Sequence, residues 1–289
     1  AGPMDPCAIG DRRTACFICR CACLHELEIP MPVEMGCGKN KKSLADPFYT
    51  SGEYFTDVRK YSADARFKAD RFVQIFSRFV KRNALTVNSL VDVGCGSGDI
   101  VKLIADSLRA GEWRSIQFKA YDVSPHVLEI HNEGIEYIHG DFCLSDEWVD
   151  VVTLFDVFEH VPDPIQFLKR TAERCKIMVF HIPLENSFNI AMRNLFGFKM
   201  KQSGHLIFLD VVSVLNLLAF AGLRVVEYEY TFAFLAPRSR KSLRAKLVFP
   251  VRCLIAKISP WLLSKTTGGA SLLVIALTPR LWREGTILR

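Results

Sequence analysis

Leu90-Val91-Asp92-Val93-Gly94-Cys95-Gly96-Ser97-Gly98-Asp99 is the stretch that decides how this chain reads. An apolar run stops at three glycines spaced one residue apart. Ile100, Val101, Ile104 and Leu108 then recur at helical spacing. The pattern predicts a buried strand, a tight loop and a helix. Glycine adopts backbone angles that a Cβ forbids and lets a ligand approach the main chain. The first turn of a helix offers N–H groups with no partner of their own.

The spacing narrows the ligand. A dinucleotide loop follows G-x-G-x-x-G and sets a pyrophosphate on the helix N-terminus. Here the pattern is G-x-G-x-G, with Asp92 before it and Asp99 after it. Carboxylates repel a pyrophosphate and suit a cofactor that carries positive charge and no phosphate. S-adenosylmethionine, with a sulfonium and an ammonium, meets that description. A nicotinamide-dependent oxidoreductase is the alternative that the misplaced third glycine disfavours.

Composition sets the bounds. A chain of 289 residues with 49% hydrophobic content fits one sizeable domain plus extensions. The net charge of +6 suits an acidic substrate or a membrane surface and is too small to argue for nucleic acid. There is no run of 18 apolar residues and no secretory h-region, so a cytoplasmic protein is expected. Six of the ten cysteines fall in the first 37 residues. The others, Cys95, Cys143, Cys175 and Cys253, sit in apolar settings and read as reduced core residues. Residues 1–48 read as a disordered leader, or as sequence upstream of the functional start. Zinc sites favour two separated pairs of ligands, and Cys16-x-x-Cys19 has only Cys7 and Cys37 as distant partners. Met35-Gly36-Cys37 would suit acylation, but Asn40 stands where that pattern wants Ser or Thr.

The rest of the chain alternates strands and helices. Ala69, Phe72, Val73, Phe76 and Val80 make an apolar helical stripe, with Arg66, Lys68 and Arg71 off it. Tyr54, Phe55 and Tyr61 precede that helix and would either cover a cofactor or simply pack. A second strand, Gln117–Ala120, runs into Tyr121-Asp122-Val123-Ser124. Asp122, 24 residues past Gly98, stands where a doubly wound fold places the acid that accepts ribose hydroxyls. A third strand near Ile135–Ile138 leads to Gly140-Asp141-Phe142, an acid for an adenine amino group and an aromatic to cover the ring. Trp148–Phe155 is nearly all apolar, hence buried on both faces. It ends in Asp156-Val157-Phe158-Glu159-His160, and Asp163-Pro164 then opens a helix. A fifth strand at Ile177–Phe180 ends in His181. A loop leads to Gly204-His205, and Asp210 caps a helix closed by Gly222. Arg224–Phe234 alternate as a sixth strand, residues 236–267 interrupt, and Ala270–Leu277 form the last. Seven strands alternating with helices predict a three-layer α/β, Rossmann-like domain.

From Tyr49 to Arg280 the chain resembles the class I S-adenosylmethionine-dependent methyltransferases. VDVGCGSGD, AYDVS, HGDF, DVFEHVPDP, HIPLENS, GHLIF and GGASLLVIA carry the resemblance. It looks closest to the small-molecule branch with D-V-x-E-H-V after strand four. The resemblance implies sheet order 3-2-1-4-5-7-6 with the last strand antiparallel, a domain at 49–280 and a tail at 281–289. It implies methyl transfer to oxygen or nitrogen of a small-molecule acceptor, lipid- or glycan-like acceptors included. Nucleic acid and protein acceptors are disfavoured, because no D/N-P-P-Y/F motif follows strand four. A non-catalytic cofactor-binding or partner protein is the alternative, since fold does not guarantee chemistry. The cysteine leader and the long insert are departures from the family pattern.

The expected cofactor-binding set is Asp92, Gly94, Cys95, Gly96, Gly98, Asp122, Val123, Asp141, Phe142 and Phe155. His160, His181 and His205 are expected to converge on the rim where the methyl is passed. His160 is expected to be base or acceptor-orienting group. No residue is committed to a metal, although Asp156, Glu159 and His160 offer hard and borderline ligands within one turn. In the insert, Arg238, Arg240, Lys241, Arg244 and Lys246 precede Leu247, Val248, Phe249, Val251, Leu254, Ile255, Trp261, Leu262 and Leu263, with Pro250 and Pro260 as breaks. The mixture reads as an interfacial lid in peripheral contact with a membrane, or as a helical hairpin packed over the sheet edge.

Overall fold

The computed structural model describes residues 64–235 and 243–283. The cysteine leader, Tyr54, Phe55, Tyr61, and the insert's Arg238, Arg240 and Lys241 lie outside the described residues.

Helix α1, Ala65–Arg82, buries Ala69, Phe72, Ile75, Phe76, Phe79 and Val80 along one stripe. Phe72 and Phe76 stack with centroids 5.0 Å apart. Strand β1, Ser89–Val93, feeds the glycine loop and helix α2, Asp99–Ala110. Strands β2, Gln117–Asp122, and β3, Ile135–His139, follow. Strand β4, Val149–Phe155, is buried at every residue. Asp163 caps helix α3, Pro164–Ala172, accepting from the Gln166 N–H as expected of an Asp-Pro start.

Strand β5 spans Cys175–Leu184, longer than Ile177–Phe180, and takes in Pro183. Helices α4, Phe188–Met192, and α5, Phe196–Ser203, fill the loop after it. Asp210 caps α6, Val211–Phe220. Strand β6, Arg224–Thr231, stops short of Phe234, because Ala233–Leu235 form a tight helical turn that buries Phe234. The insert forms helices α7, Leu243–Ile258, and α8, Pro260–Lys265, ahead of strand β7, Ala270–Leu277, and helix α9, Pro279–Arg283. Pro260 starts α8, but Pro250 lies within α7 and does not end it. Pro250 is exposed, where water can serve the carbonyl whose helical partner proline removes.

The seven strands form one sheet in the order β3-β2-β1-β4-β5-β7-β6. β1 to β5 pair in parallel, and β7 runs antiparallel to both β5 and β6. Alternation along β4 builds two cores. Val151 and Phe155 pack with α1 and α2 on one face, and Val152 and Leu154 pack with Phe167 and Leu168 of α3 and Leu218 of α6 on the other. A sheet covered on both sides in this way explains the continuous apolar runs in its central strands. It also leaves the carboxyl ends of β1, β2, β4 and β5 along one rim, where open α/β sheets bind ligands.

Candidate active site

The glycine loop is built from β1 and held by β2. Gly94, Gly96 and Gly98 all have left-handed φ values, +73°, +56° and +74°. The Gly94 and Cys95 N–H groups donate to the Tyr121 carbonyl at 2.8 and 3.1 Å. Asp122 accepts from the Gly96 N–H at 2.9 Å through Oδ2 and from the Ser124 N–H at 2.8 Å through Oδ1. One carboxyl thus ties the loop to the turn after β2. Burial pushes that carboxyl up, and the two N–H bonds oppose the push without cancelling it.

Two of the glycines answer to the protein itself. A Cβ on Gly94 would lie 2.8 Å from Val157 Cγ2, and one on Gly98 would lie 2.7 Å from the Tyr137 hydroxyl. Asp92 is buried and accepts from Thr153 Oγ1 at 2.6 Å; burial outweighs that bond and pushes its carboxyl up to about 7. Cys95 is buried and its thiol is pushed up by burial. The Val123 carbonyl lies 3.1 Å from His139 Nε2, and Asp141 Oδ1 accepts from the Cys143 N–H.

The aromatics differ from expectation. Phe142 is 1% exposed, edge-on to Tyr121 with centroids 5.2 Å apart inside the core. Its ring belongs to that core and is not presented to cover a cofactor. Phe155 is likewise a core residue, edge-on to Phe72 at 5.9 Å. What the loop does offer suits a cationic, hydroxyl-bearing cofactor. Asp92, Asp99 and Asp122 surround it, and Leu90 to Ile100 contain no Lys or Arg.

Beyond β4 the rim carries two linked clusters. Asp156 has φ +55°, unusual for a residue with a Cβ. Its Oδ2 accepts from Lys68 Nζ at 2.5 Å, and its Oδ1 from His181 Nδ1 at 2.7 Å. Burial would raise this carboxyl, but the Lys68 ammonium and His181 outweigh it and hold it well below the usual carboxylate range. His181 Nε2 lies 3.0 Å from Thr231 Oγ1. Both ring nitrogens of this buried histidine are therefore engaged within the sheet.

The second cluster joins His160 and His205, whose rings meet edge-to-face with centroids 4.7 Å apart. His160 Nδ1 lies 3.1 Å from the Gly204 carbonyl, and His205 Nδ1 lies 2.6 Å from Glu185 Oε2. Lys199 holds the other Glu185 oxygen at 2.6 Å. Burial, then the neighbouring His205, lower His160 to about 4. Glu159 faces the pair with its Oε1 4.0 Å from His160 Nε2. Of the three expected histidines, two come together and His181 turns instead to Asp156 and Thr231. Sequence reasoning missed Lys68, Glu185, Tyr137 and Thr231. Glu185 sits in HIPLENS directly after β5 and was findable there. Lys68 is one cation among several on α1, and nothing in the sequence distinguishes it.

A family described as "Methyltransferase domain" matches residues 64–228. A mitochondrial ubiquinone biosynthesis O-methyltransferase of Schizosaccharomyces pombe is 33% identical over 34% of this chain and 38% of its own. Its counterpart from Nitrosospira multiformis is 30% identical over 34% of this chain and 43% of its own. The match thus spans less than half the length of these curated relatives. Among solved structures, a SAM-dependent methyltransferase from Archaeoglobus fulgidus is similar with a TM-score of 0.51 and 15% identity, over 78% of this chain and 99% of that one. The plantazolicin methyltransferase BpumL, in complex with SAH, is similar with a TM-score of 0.51 and 14% identity, over 80% and 94%. At such identities the likeness is one of fold.

Proposed function

The chain belongs to the methyltransferase domain family, and on that premise we propose that it moves a methyl group from S-adenosylmethionine to a small-molecule acceptor. The observation that carries this reading is the β1 loop pinned through Gly96 to Asp122. The cofactor, when bound, supplies an electrophilic methyl on a sulfonium. The chain supplies the rest. Gly94 to Gly98 cradle the cofactor, Asp122 accepts from its ribose hydroxyls, and Asp92 and Asp141 contribute carboxyl groups beside it. Cys95 and Val123 contribute main chain at the two strand ends.

The proposed acceptor position is the rim formed by Glu159, His160 and His205, near Val157, whose side chain fills the space that a Cβ on Gly94 would need. Holding an acceptor atom in line with the methyl and excluding water provides most of the rate. A hydroxyl acceptor is the favoured class, because the rim presents imidazole and carboxyl side chains that can hydrogen-bond one, and because the curated relatives named above are O-methyltransferases. His160, with its low basicity, serves better to orient the hydroxyl than to store its proton. His181 acts through Asp156 as a positioning residue.

The insert is proposed to rest on an anionic membrane surface, because α7 and α8 turn an apolar row outward and residues 236–267 carry eight Lys or Arg and no acid.

Calorimetry with S-adenosylmethionine, S-adenosylhomocysteine and NAD tests the cofactor. The first two bind and NAD does not. Asp122→Ala weakens binding by about 1–3 kcal/mol, the scale of a hydrogen bond to a charged group. Unchanged affinity in that variant would remove Asp122 from the cofactor. A labelled-methyl screen of small-molecule and lipid extracts then tests transfer. Binding without transfer to any of them would favour a non-catalytic cofactor-binding protein.

A further inference from the structure

We propose that Glu159, His160 and His205 form a binding site for one borderline divalent cation. One ligand atom from each lies within 4.8 Å of the other two. That is wider than the ~3 Å between donors implied by metal–ligand distances of about 2.0–2.2 Å, so a bound cation would draw the three groups together by up to about 2 Å. Glu159 is the strongest pointer. It is 1% exposed, and neither carboxyl oxygen has a hydrogen-bond partner. Buried carboxylates are paired or coordinate metals, because burying one alone is costly. The nearby ammonium of Lys68 is committed to Asp156.

The two histidines are prepared as ligands. His205 donates Nδ1–H to Glu185, and His160 donates Nδ1–H to the Gly204 carbonyl. These bonds select the tautomer whose lone pair is on Nε2, as in metal sites whose imidazoles are oriented by a carboxylate or carbonyl behind them. The backbone stitches the two segments together, with the Leu206 N–H donating to the Glu159 carbonyl at 2.9 Å. Asp156, the third ligand that sequence spacing offers, is instead held by Lys68 and His181.

Two imidazoles and one carboxylate favour Zn²⁺, Co²⁺, Ni²⁺ or Fe²⁺ over Mg²⁺ and Ca²⁺, which prefer mostly oxygen donors. Three protein ligands leave positions open for an acceptor hydroxyl, whose proton a cation makes easier to lose. That acceptor role rests on the methyl-transfer reading; the metal site itself does not.

The full chain, stripped by a chelator, is titrated with Co²⁺ by absorbance and calorimetry. One equivalent binds with a visible d–d band free of thiolate charge transfer, and Zn²⁺ displaces it. This spectrum separates the site from any cysteine ligation. Glu159→Gln and His205→Gln each weaken binding at least tenfold, and Glu185→Gln, behind His205, weakens it by about 10-fold or more. Circular dichroism confirms folding, and if Glu159→Gln fails to fold, the half-buried His205→Gln carries the test. No saturable binding at millimolar Co²⁺, or the same affinity in the Glu159 and His205 variants, would overturn the site. Methyl transfer at full rate after chelation would overturn the acceptor role alone.

Discussion

Asp92 lies buried in β1 with one strong donor, Thr153 Oγ1, and the Asp122 carboxyl nearby. Burial holds its proton to about pH 7, against about 4 in an unfolded chain. As pH rises from about 4 to 7, the unfolded state loses this proton first and the folded state keeps it. Stability from this group therefore falls across that window, by up to ~4 kcal/mol at about 1.4 kcal/mol per tenfold in proton affinity. Asp92→Asn keeps the acceptor for Thr153 and removes the titration. Its advantage over the wild type is expected to grow between pH 4.5 and 7.5 in denaturant unfolding; a gap that does not change with pH would show that Asp92 is not titrating there. At this scale the sequence was only partly legible. The loop glycines and Asp122 announced themselves by spacing and strand end. Phe142 did not reveal its burial, because an aromatic after Gly-Asp serves a ligand or a core equally well in sequence.

The β1–α2 loop is where an element's geometry makes the sharpest demand. Gly94→Ala places a methyl 2.8 Å from Val157 Cγ2 and forces an L-residue to φ +73°. A short branched neighbour cannot swing away as a long side chain can. The backbone strain of about 1–2 kcal/mol and the overpacking of about 1–3 kcal/mol together destabilise by ~2–5 kcal/mol. Gly140→Ala is the control: its Cβ meets nothing within 4 Å, and it should stay within ~0.5 kcal/mol of the wild type. Equal losses for the two variants would refute the steric account. Elements were the most legible scale. Asp163 and Asp210 cap the helices that their Asp signals marked, and the apolar run at β4 is buried on both faces. The misreadings have local causes. Phe232 and Phe234 keep a strand's alternation while the chain turns inward, and Pro250 keeps its place in a helix because its face is open to water.

At the scale of the whole molecule, the insert packs one side of α7 on the core and leaves an apolar row exposed. Phe249, Cys253, Ile255 and Ala256 of α7 pack toward the sheet, while Leu247, Val251, Leu254 and Ile258 form a row facing outward. Trp261 and Leu262 of α8 extend that exposure. The Asn189 N–H donates to the Thr266 carbonyl, so α4, with exposed Phe188 and Met192, stands beside the end of α8. Scattered surface apolar residues are ordinary, but a contiguous set marks a contact surface. Among the described residues no helix is long and apolar enough to cross a membrane, so the membrane contact proposed above is one in which an apolar face would lie in the interface. Lys246 and Lys257 are exposed on the same helix. Each cation near an anionic leaflet contributes about 1 kcal/mol, screened over a Debye length of about 10 Å at 0.1 M salt. The protein should therefore co-sediment with anionic vesicles at low salt, less so as salt rises, and weakly with neutral vesicles. Leu254→Asp with Ile258→Asp, at positions 60% and 71% exposed, should abolish co-sedimentation while leaving the melting temperature nearly unchanged. Retention of binding in that double variant would assign the attraction to charge alone, and no binding at low salt would leave the apolar row to some other contact.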